Sequence, residues 1–270
     1  RETFEPSGLK AFHKNNKSKI ITAPKLFAHQ EINKNQGWLL IEKLPPGKFF
    51  AEPMSETERE EFMTIFLEYR KNFPTKPTRE LSLIENLPAN QFHLFRLNKW
   101  LNLASENFDE KIIEQKKILS LFTEISTIIN QEFTNRKKIW CHGHFKNKEV
   151  YKAQNKKIYL IDFAHNNYYP EGYELAFIPW ADYIMSDNFK LPNKQWEKGF
   201  TEWQNLLSFY AKKLKYKNPE KLIIASLLER IIGSILADIL ASDKTPTEKK
   251  SRLNKLIPTA KKLIKNYQNL

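Results

Sequence analysis

One stretch of the chain, residues 139–176, constrains the possible fold more than any other. Two short apolar runs within and beside it, residues 138–141 and 157–161, are rich in β-branched and aromatic residues and predict strands. Residues 149–152 predict a third strand, joined to the second run by the turn-prone pair Gln154 and Asn155. The titratable side chains of the stretch are His142, His144, Glu149, Asp162, His165 and Glu174. A polar loop, a hairpin and an Asp at the end of an apolar strand form an arrangement that can hold a metal ion and phosphates.

The residues of this stretch also resemble a known family. The order H-G-x-F-x-x-x-x-V, a hairpin, I-D-F and then Y-x-L-A is similar to the aminoglycoside phosphotransferases and choline kinases. The matching residues are His142, Gly143, Phe145, Val150, Ile161, Asp162, Phe163, Tyr173, Leu175 and Ala176. The resemblance implies an α+β, protein kinase-like two-lobe fold. Residues 1–43 would form a truncated N-terminal lobe with the hinge strand, and residues 44–270 a mostly helical C-terminal lobe.

Three positions depart from the family pattern. His144 stands where the family has its catalytic Asp, Glu149 where it has a metal-binding Asn, and Glu174 where it has a structural Asp. The resemblance implies that His144 is the catalytic base, since an imidazole can accept a proton from a hydroxyl group. It also implies that Asp162 and Glu149 hold Mg²⁺ through carboxylate oxygens.

The run GWLLIEKLPPG, residues 37–47, is similar to the hinge of the same family. The resemblance implies that ATP binds with its adenine ring against the backbone of Glu42 and Leu44. No glycine-rich phosphate loop and no strand carrying the family's lysine occur in the sequence. Because the chain begins with Arg1 rather than methionine, we expect it to be part of a longer protein.

Three functions remain open from the sequence. The first is a phosphotransferase that moves phosphate from ATP to a small-molecule hydroxyl acceptor, with Mg²⁺. The second is a catalytically inactive pseudokinase that binds a nucleotide or a partner, since a fold does not establish chemistry. The third is a transition-metal site built from the histidines and carboxyl groups of the stretch, although their spacing matches no zinc signature.

Several of these residues also have ordinary structural interpretations. His142 is expected to be a scaffold residue bonded to backbone. Glu149 is as readily explained by solvent exposure on the hairpin as by metal binding. His165 and Glu174 are more typical of a loop and a helix start than of ligands.

Composition excludes some classes of function. The net charge is +13, but the lysines are spread among Asn and Glu without a nucleic-acid motif, so we expect no specific nucleic-acid partner. A basic protein would also repel a polycationic substrate such as an aminoglycoside.

The longest apolar run, residues 222–240, is interrupted by Glu229, Arg230 and Asp238, so we expect no membrane span. The single cysteine, Cys141, fits a cytoplasmic protein. Oligomeric state cannot be derived from these features.

Outside the central stretch, local signals predict mainly helices. Capping boxes begin helices at residues 55–58 and 245–248, and the latter helix should run through Tyr267. Helices are also predicted over residues 3–16, 109–134 and 193–214, from Asn90, and from Asn218 with Pro219 at the first position. Residues 24–28 and 38–42 predict strands, with a turn at residues 34–37.

Overall fold

The computed structural model describes residues 4–33, 36–109 and 114–270, apart from the side chains of Phe4 and Asp187. The helices of the described residues are α1 (Phe4–Asn15), α2 (Glu56–Asn72), α3 (Leu83–Asn86), α4 (Ala89–Ser105), α5 (Gln115–Phe133), α6 (Tyr173–Pro179), α7 (Asn193–Lys213), α8 (Pro219–Leu240) and α9 (Pro246–Gln268). The strands are β1 (Ile21–Thr22), β2 (Leu26–Asn33), β3 (Gln36–Ile41), β4 (Gly47–Phe49), β5 (Lys138–Cys141), β6 (Val150–Ala153), β7 (Ile158–Leu160) and β8 (Asn167–Pro170). The predicted α+β class is therefore confirmed.

The strands form three small sheets. The largest has the order β1-β7-β6-β4, in which β1 pairs with β7 in parallel and the other pairs are antiparallel. The β2–β3 pair and the β5–β8 pair are separate antiparallel ladders. The predicted hairpin of the central stretch is β6–β7, with Val150 opposite Leu160. Glu149, the first residue of the predicted strand, lies instead in a 3₁₀ turn just before β6.

Most of the predicted helices are present, with small changes at their ends. Both capping boxes form, with Ser55 and Thr245 as the N-caps of α2 and α9. The expected cap at Asn90 is wrong, because α4 begins at Ala89 and Pro88 occupies the cap position. The long helix predicted from residue 109 is seen as α5 from Gln115, and residues 110–113 lie outside the described residues. Residues 34 and 35 of the predicted turn also lie outside them.

The chain divides into two compact units. Unit 1 comprises residues 1–86 and 138–188, and unit 2 comprises residues 87–137 and 189–270. The lobe boundary expected after residue 43 is a different division and stays a prediction. In unit 1, aromatic rings of α2 pack on Phe145 from the loop after β5: Phe62 and Phe66 contact it edge-on, and Tyr69 stacks on it. This packing fixes the loop that carries the candidate site, because aromatic contacts restrain both position and orientation.

Unit 2 is a group of helices packed around α8. Sixteen residues of α8 are buried, including every residue from Leu222 to Ile232, and α4, α5, α7 and α9 contact it. A helix that is apolar around most of its circumference is stable only inside a core. The aromatic stripe of α7, with Trp196, Phe200 and Trp203 buried, belongs to this core. Of the helices that the structure describes, none is long and apolar enough to cross a membrane.

Candidate active site

The loop after β5 is anchored by the buried carboxyl group of Glu174, in the first turn of α6. Its Oε1 accepts hydrogen bonds from the Gly143 N–H at 2.9 Å and from the Tyr69 hydroxyl at 3.1 Å. Arg70 lies 3.6 Å from Oε2 and also donates to the carbonyl of Trp140 in β5 at 3.0 Å. Burial raises the pKa of Glu174 above its ordinary value, although Arg70 and the Gly143 N–H oppose that rise. These contacts support a structural role for Glu174 at the start of a helix, which the sequence favoured over a role as a ligand.

Gly143 allows this loop to touch the turn after β7. Its φ is +89°, a left-handed conformation that glycine adopts without strain. A Cβ atom at this position would lie 2.2 Å from the carbonyl oxygen of His165 and 2.8 Å from the ring of Tyr169. No other residue fits without displacing the backbone, so the glycine holds the two segments in contact.

His142 links the same two segments. Its backbone N–H donates to the Tyr69 hydroxyl at 2.7 Å, and its Nε2 lies 2.8 Å from the carbonyl oxygen of Ile161. Burial lowers the pKa of His142 to about 4, so the ring is neutral at pH 7 and Nε2–H is the donor. These contacts support the scaffold role that was expected for this residue.

Asp162 follows β7 in an unusual backbone conformation. Its φ of 59° and ψ of 66° lie in the left-handed region, which is costly for a residue with a side chain and often marks a functional site. The 3₁₀ turn Phe163–His165 comes directly after it. Phe163 is fully buried against α1, where a Cβ added to Gly8 would lie 2.8 Å from the Cβ of Phe163. Helix α1 thereby fixes the turn that carries Asp162.

Three side chains converge where the loop and the turn meet: His144, Asp162 and His165. One ligand atom from each, an imidazole nitrogen or a carboxylate oxygen, lies within 4.8 Å of the other two. The ring of His144 is stacked between the rings of His165 and Phe177, at interplanar angles of 22° and 15°. All three converging residues are partly exposed, so a ligand can reach them.

Glu149 lies beside this cluster, and its side chain is buried. The residue is only 4% exposed, so the interpretation that it is a solvent-exposed hairpin residue is wrong. Its Oε1 pairs with the ammonium of Lys146 at 3.0 Å. Its Oε2 has no hydrogen-bond partner among the described residues, and lies 3.8 Å from Nδ1 of His142. Burial raises the pKa of Glu149 to about 8; Lys146 lowers it, and the carboxyl group of Asp162 raises it further.

The residues expected to contact adenine lie on the segment between β3 and β4. The backbone N–H of Glu42 donates to the carbonyl of Lys25 at 2.8 Å, and its carboxylate accepts the Lys25 N–H at 3.1 Å. The side chain of Glu42 therefore joins this segment to the start of β2. Within the described part of the chain, the backbone N–H and C=O of Leu44 form no hydrogen bond. They remain able to bond a ligand.

The structure thus brings His144, Glu149 and Asp162 together, and places Glu42 and Leu44 on a separate segment. Sequence reasoning gave no role to Lys146 and treated His165 as a loop residue. The signal for His165 was its spacing: residues three apart lie on the same side of a 3₁₀ turn, so His165 points back toward Asp162. For Lys146 the signal was the i,i+3 spacing to Glu149 across a short turn.

Comparison with known proteins supports the fold. No protein-family model matches the sequence, and no curated protein sequence is detectably similar to it. An ethanolamine kinase from Plasmodium vivax is 15% identical with a TM-score of 0.57, over 97% of this chain and 74% of that one. Choline kinase LicA from Streptococcus pneumoniae is 11% identical with a TM-score of 0.56, over 99% and 81%.

A third similar structure is a thermostable mutant of the aminoglycoside phosphotransferase APH(4)-Ia in complex with ADP and hygromycin B. It is 12% identical with a TM-score of 0.58, over 95% of this chain and 82% of that one. At such low identity the likeness concerns the fold alone. This chain has the protein kinase-like fold of aminoglycoside phosphotransferases and choline kinases, as the resemblance implied.

Proposed function

We propose that this protein transfers a phosphoryl group from ATP to a hydroxyl group of a small molecule. The observation that carries the proposal is the convergence of His144, Glu149 and Asp162 at one place, on a fold shared with kinases of small molecules. The adenine ring would bind the segment between β3 and β4, where the N–H and C=O of Leu44, which bond to none of the described residues, supply a donor and an acceptor. Glu42 would hold this segment in place through its bonds to Lys25.

In this proposal His144 is the general base. The substrate oxygen forms a bond to the γ-phosphorus, the bond from that phosphorus to the bridging oxygen of ADP breaks, and the substrate proton passes to an imidazole nitrogen of His144. The flanking rings of His165 and Phe177 hold the imidazole in one orientation. Because the side chain of His144 is 23% exposed, a hydroxyl group can approach it from solvent.

The residues present fit a divalent cation. Asp162 and Glu149 supply hard carboxylate oxygens, which Mg²⁺ prefers, and the buried Oε2 of Glu149 has no hydrogen-bond partner among the described residues. Mg²⁺ held there would neutralise negative charge on the phosphates. Lys146 adds a fixed positive charge beside the same carboxyl group. A cytoplasmic location, consistent with the single buried thiol of Cys141, would supply both ATP and Mg²⁺.

A second function, a pseudokinase that binds a nucleotide without transferring phosphate, is favoured by one observation. The ammonium of Lys146 already contacts Oε1 of the carboxyl group that would hold the metal ion. An internal cation at this position reduces the need for Mg²⁺. In addition, the imidazole of His144 offers no negative charge to orient a substrate hydroxyl group.

The two functions are separated by measuring transfer and binding in the same preparations. The purified protein is incubated with ATP, Mg²⁺ and a panel of hydroxyl acceptors that includes ethanolamine, choline and aminoglycosides, and products are detected by mass spectrometry. We expect a phosphorylated product, and a kcat lowered about a hundredfold or more by His144→Asn. The exposed His29 provides a matched control, since His29→Asn should leave kcat unchanged.

Nucleotide binding is measured by calorimetry with and without Mg²⁺. Mg²⁺-dependent binding that Asp162→Asn weakens, with no transfer to any acceptor, would favour the pseudokinase. The double variant His144→Asp with Glu149→Asn restores the family's residues and should lower the activity of an enzyme adapted to its present residues. A protein that binds no ATP would contradict both functions.

A further inference from the structure

We propose that His144, Asp162 and His165 form a binding site for a single divalent transition-metal ion of the zinc and cobalt class. Two imidazole nitrogens and one carboxylate oxygen lie within 4.8 Å of one another, and they come from two different segments of the chain. The site is distinct from the carboxylate pair proposed above for Mg²⁺, with which it shares only Asp162.

The distances are compatible with coordination after the side chains move. Zinc binds imidazole nitrogen and carboxylate oxygen at about 2.0–2.2 Å, so two ligands of a tetrahedral ion lie roughly 3.4 Å apart. The present ligand atoms are separated by no more than 4.8 Å. An ion bound by an imidazole nitrogen lies in the plane of that ring, so the ring of His165 must also turn out of its stack on His144 before both can bind one ion.

The backbone already holds the two segments in place. The loop packs closely against the turn where Gly143 approaches the carbonyl of His165, which keeps His144 and His165 near each other. The 3₁₀ turn places Asp162 and His165 on one side, and the flanking ring of Phe177 restricts the rotation of His144. A backbone that already brings the ligand residues together reduces the conformational entropy lost when an ion binds.

The chemistry of the ligands selects the class of metal. Imidazole suits Zn²⁺, Co²⁺, Ni²⁺ and Fe²⁺, whereas Mg²⁺ prefers oxygen ligands and retains its water. Two histidines and one carboxylate leave coordination positions open, as in metal sites that also bind water or a substrate oxygen. The partial exposure of all three residues leaves room for such a ligand.

Binding of the ion has a consequence that rests on the proposed phosphotransfer. An imidazole nitrogen that coordinates a metal cannot accept a proton, so the ion would remove His144 from its role as base. Micromolar zinc would then inhibit phosphotransfer while Mg²⁺ supports it.

The site is tested without nucleotide, so that its result is independent of any enzymatic activity. Protein freed of metal with a chelator is titrated with Co²⁺, whose visible absorption reports its coordination, and Zn²⁺ is then added as competitor. We expect one equivalent of Co²⁺ to bind, Zn²⁺ to displace it, and excess Mg²⁺ to leave it in place. Displacement by Mg²⁺ as readily as by Zn²⁺ would overturn the proposal.

Two variants locate the ion, and a third serves as control. His165→Phe keeps an aromatic ring against His144 but lacks a ligand atom, and Asp162→Asn replaces a carboxylate by an amide of the same shape. Each should weaken Co²⁺ binding at least tenfold. The control His29→Phe makes the same change at an exposed histidine and should leave the affinity unchanged. Loss of binding in the control alone, or binding that none of the site variants changes, would overturn the proposal.

A measurement on the unaltered protein covers the case in which a variant does not fold. Diethyl pyrocarbonate modifies accessible imidazoles, and mass spectrometry reports each histidine separately. Zn²⁺ should protect His144 and His165 while His29 is modified at the same rate as before. Equal modification of His144 and His165 with and without Zn²⁺ would contradict the site.

Discussion

Two glutamates, Glu229 in unit 2 and Glu149 in unit 1, are equally buried and yet have opposite electrostatic properties. Each is 4% exposed. The carboxylate of Glu229 lies 3.1 Å from Arg96, 3.6 Å from Arg230 and 3.6 Å from His93. The guanidinium groups of Arg96 and Arg230 outweigh the effect of burial and lower its pKa far below the ordinary value. Around Glu149 a single ammonium, that of Lys146, does not outweigh burial and the nearby Asp162, and its pKa rises to about 8.

The difference shows which buried charge belongs to the core and which is available to a ligand. Glu229 has enough positive charge around it to remain ionised within unit 2, so it needs no further partner. Glu149 retains an oxygen without a hydrogen-bond partner among the described residues, next to a second carboxyl group. A carboxyl group with a perturbed pKa, such as that of Glu149, is typical of a functional site when it lies in a cluster of polar groups. A cation added to the protein should therefore bind at Glu149 and not at Glu229.

The largest expected effect comes from removing each charge in turn. Glu229→Gln leaves the guanidinium groups of Arg96 and Arg230 without their carboxylate, and we expect it to lower the free energy of unfolding by about 3 kcal/mol. Glu149→Gln removes a carboxyl group that burial already disfavours as an anion. We expect it to change the free energy of unfolding by less than about 1 kcal/mol at pH 5, where this group is protonated in the folded protein.

Urea denaturation followed by circular dichroism measures both variants. Arg96→Met is a reciprocal control. It should also destabilise unit 2, but by less than Glu229→Gln does, because Arg230 remains beside Glu229. Equal losses of stability in Glu229→Gln and Glu149→Gln would show that the two glutamates are equivalent, and the comparison would fail.

The two residues should also give opposite dependences of stability on pH. The pKa of Glu229 is lower in the folded protein than in the unfolded chain, so its contribution is present above about pH 4.5 and is lost as the pH falls below that value. The pKa of Glu149 is higher in the folded protein, so its contribution is present below about pH 4.5 and is lost as the pH rises toward 8.

For a single proton the slope is at most about 1.4 kcal/mol per pH unit. In chelator-treated protein, the free energy of unfolding of the unaltered protein should therefore fall relative to that of Glu149→Gln as the pH rises from 5 to 7. The matching difference for Glu229→Gln should stay constant over that range and change only in more acidic solution. A difference for Glu149 that does not vary with pH would mean that its carboxyl group is ionised at every pH tested.

Local signals predicted much of this structure, and long-range pairing accounts for most of what they missed. The strands that became β5, β6 and β7, the capping boxes at Ser55 and Thr245, and Asp162 at a strand end could all be read from short segments. Strand β8 could not, because Asn-Tyr-Tyr-Pro is extended only through its pairing with β5. The local sequence does not show whether a segment will pair with a strand that is distant in the chain.

The candidate site shows the same limit. The family resemblance identified His144, Glu149 and Asp162 as a group, and the structure brings them together. Neither the burial of Glu149 nor the stacking of His165 on His144 follows from the sequence, since both depend on how the turn after β7 meets the loop after β5. Burial decides the protonation of Glu149, so its electrostatic character could not be predicted from residue type.

The smallest expected effect concerns Lys146, the cation that distinguishes Glu149 from an entirely unpaired carboxyl group. Its ammonium contacts one oxygen of Glu149 and competes with any metal ion for the same carboxyl group. We expect Lys146→Met to tighten the binding of Mg²⁺ about tenfold, which corresponds to ~1.4 kcal/mol. Isothermal titration of the nucleotide-free protein measures the change.

Lys148→Met is the matched control, because Lys148 is two-thirds exposed and pairs with Glu52 rather than with Glu149. Weaker Mg²⁺ binding in Lys146→Met than in Lys148→Met would mean that Lys146 helps to form the site by keeping Glu149 ionised, and not that it occupies the position of the metal ion.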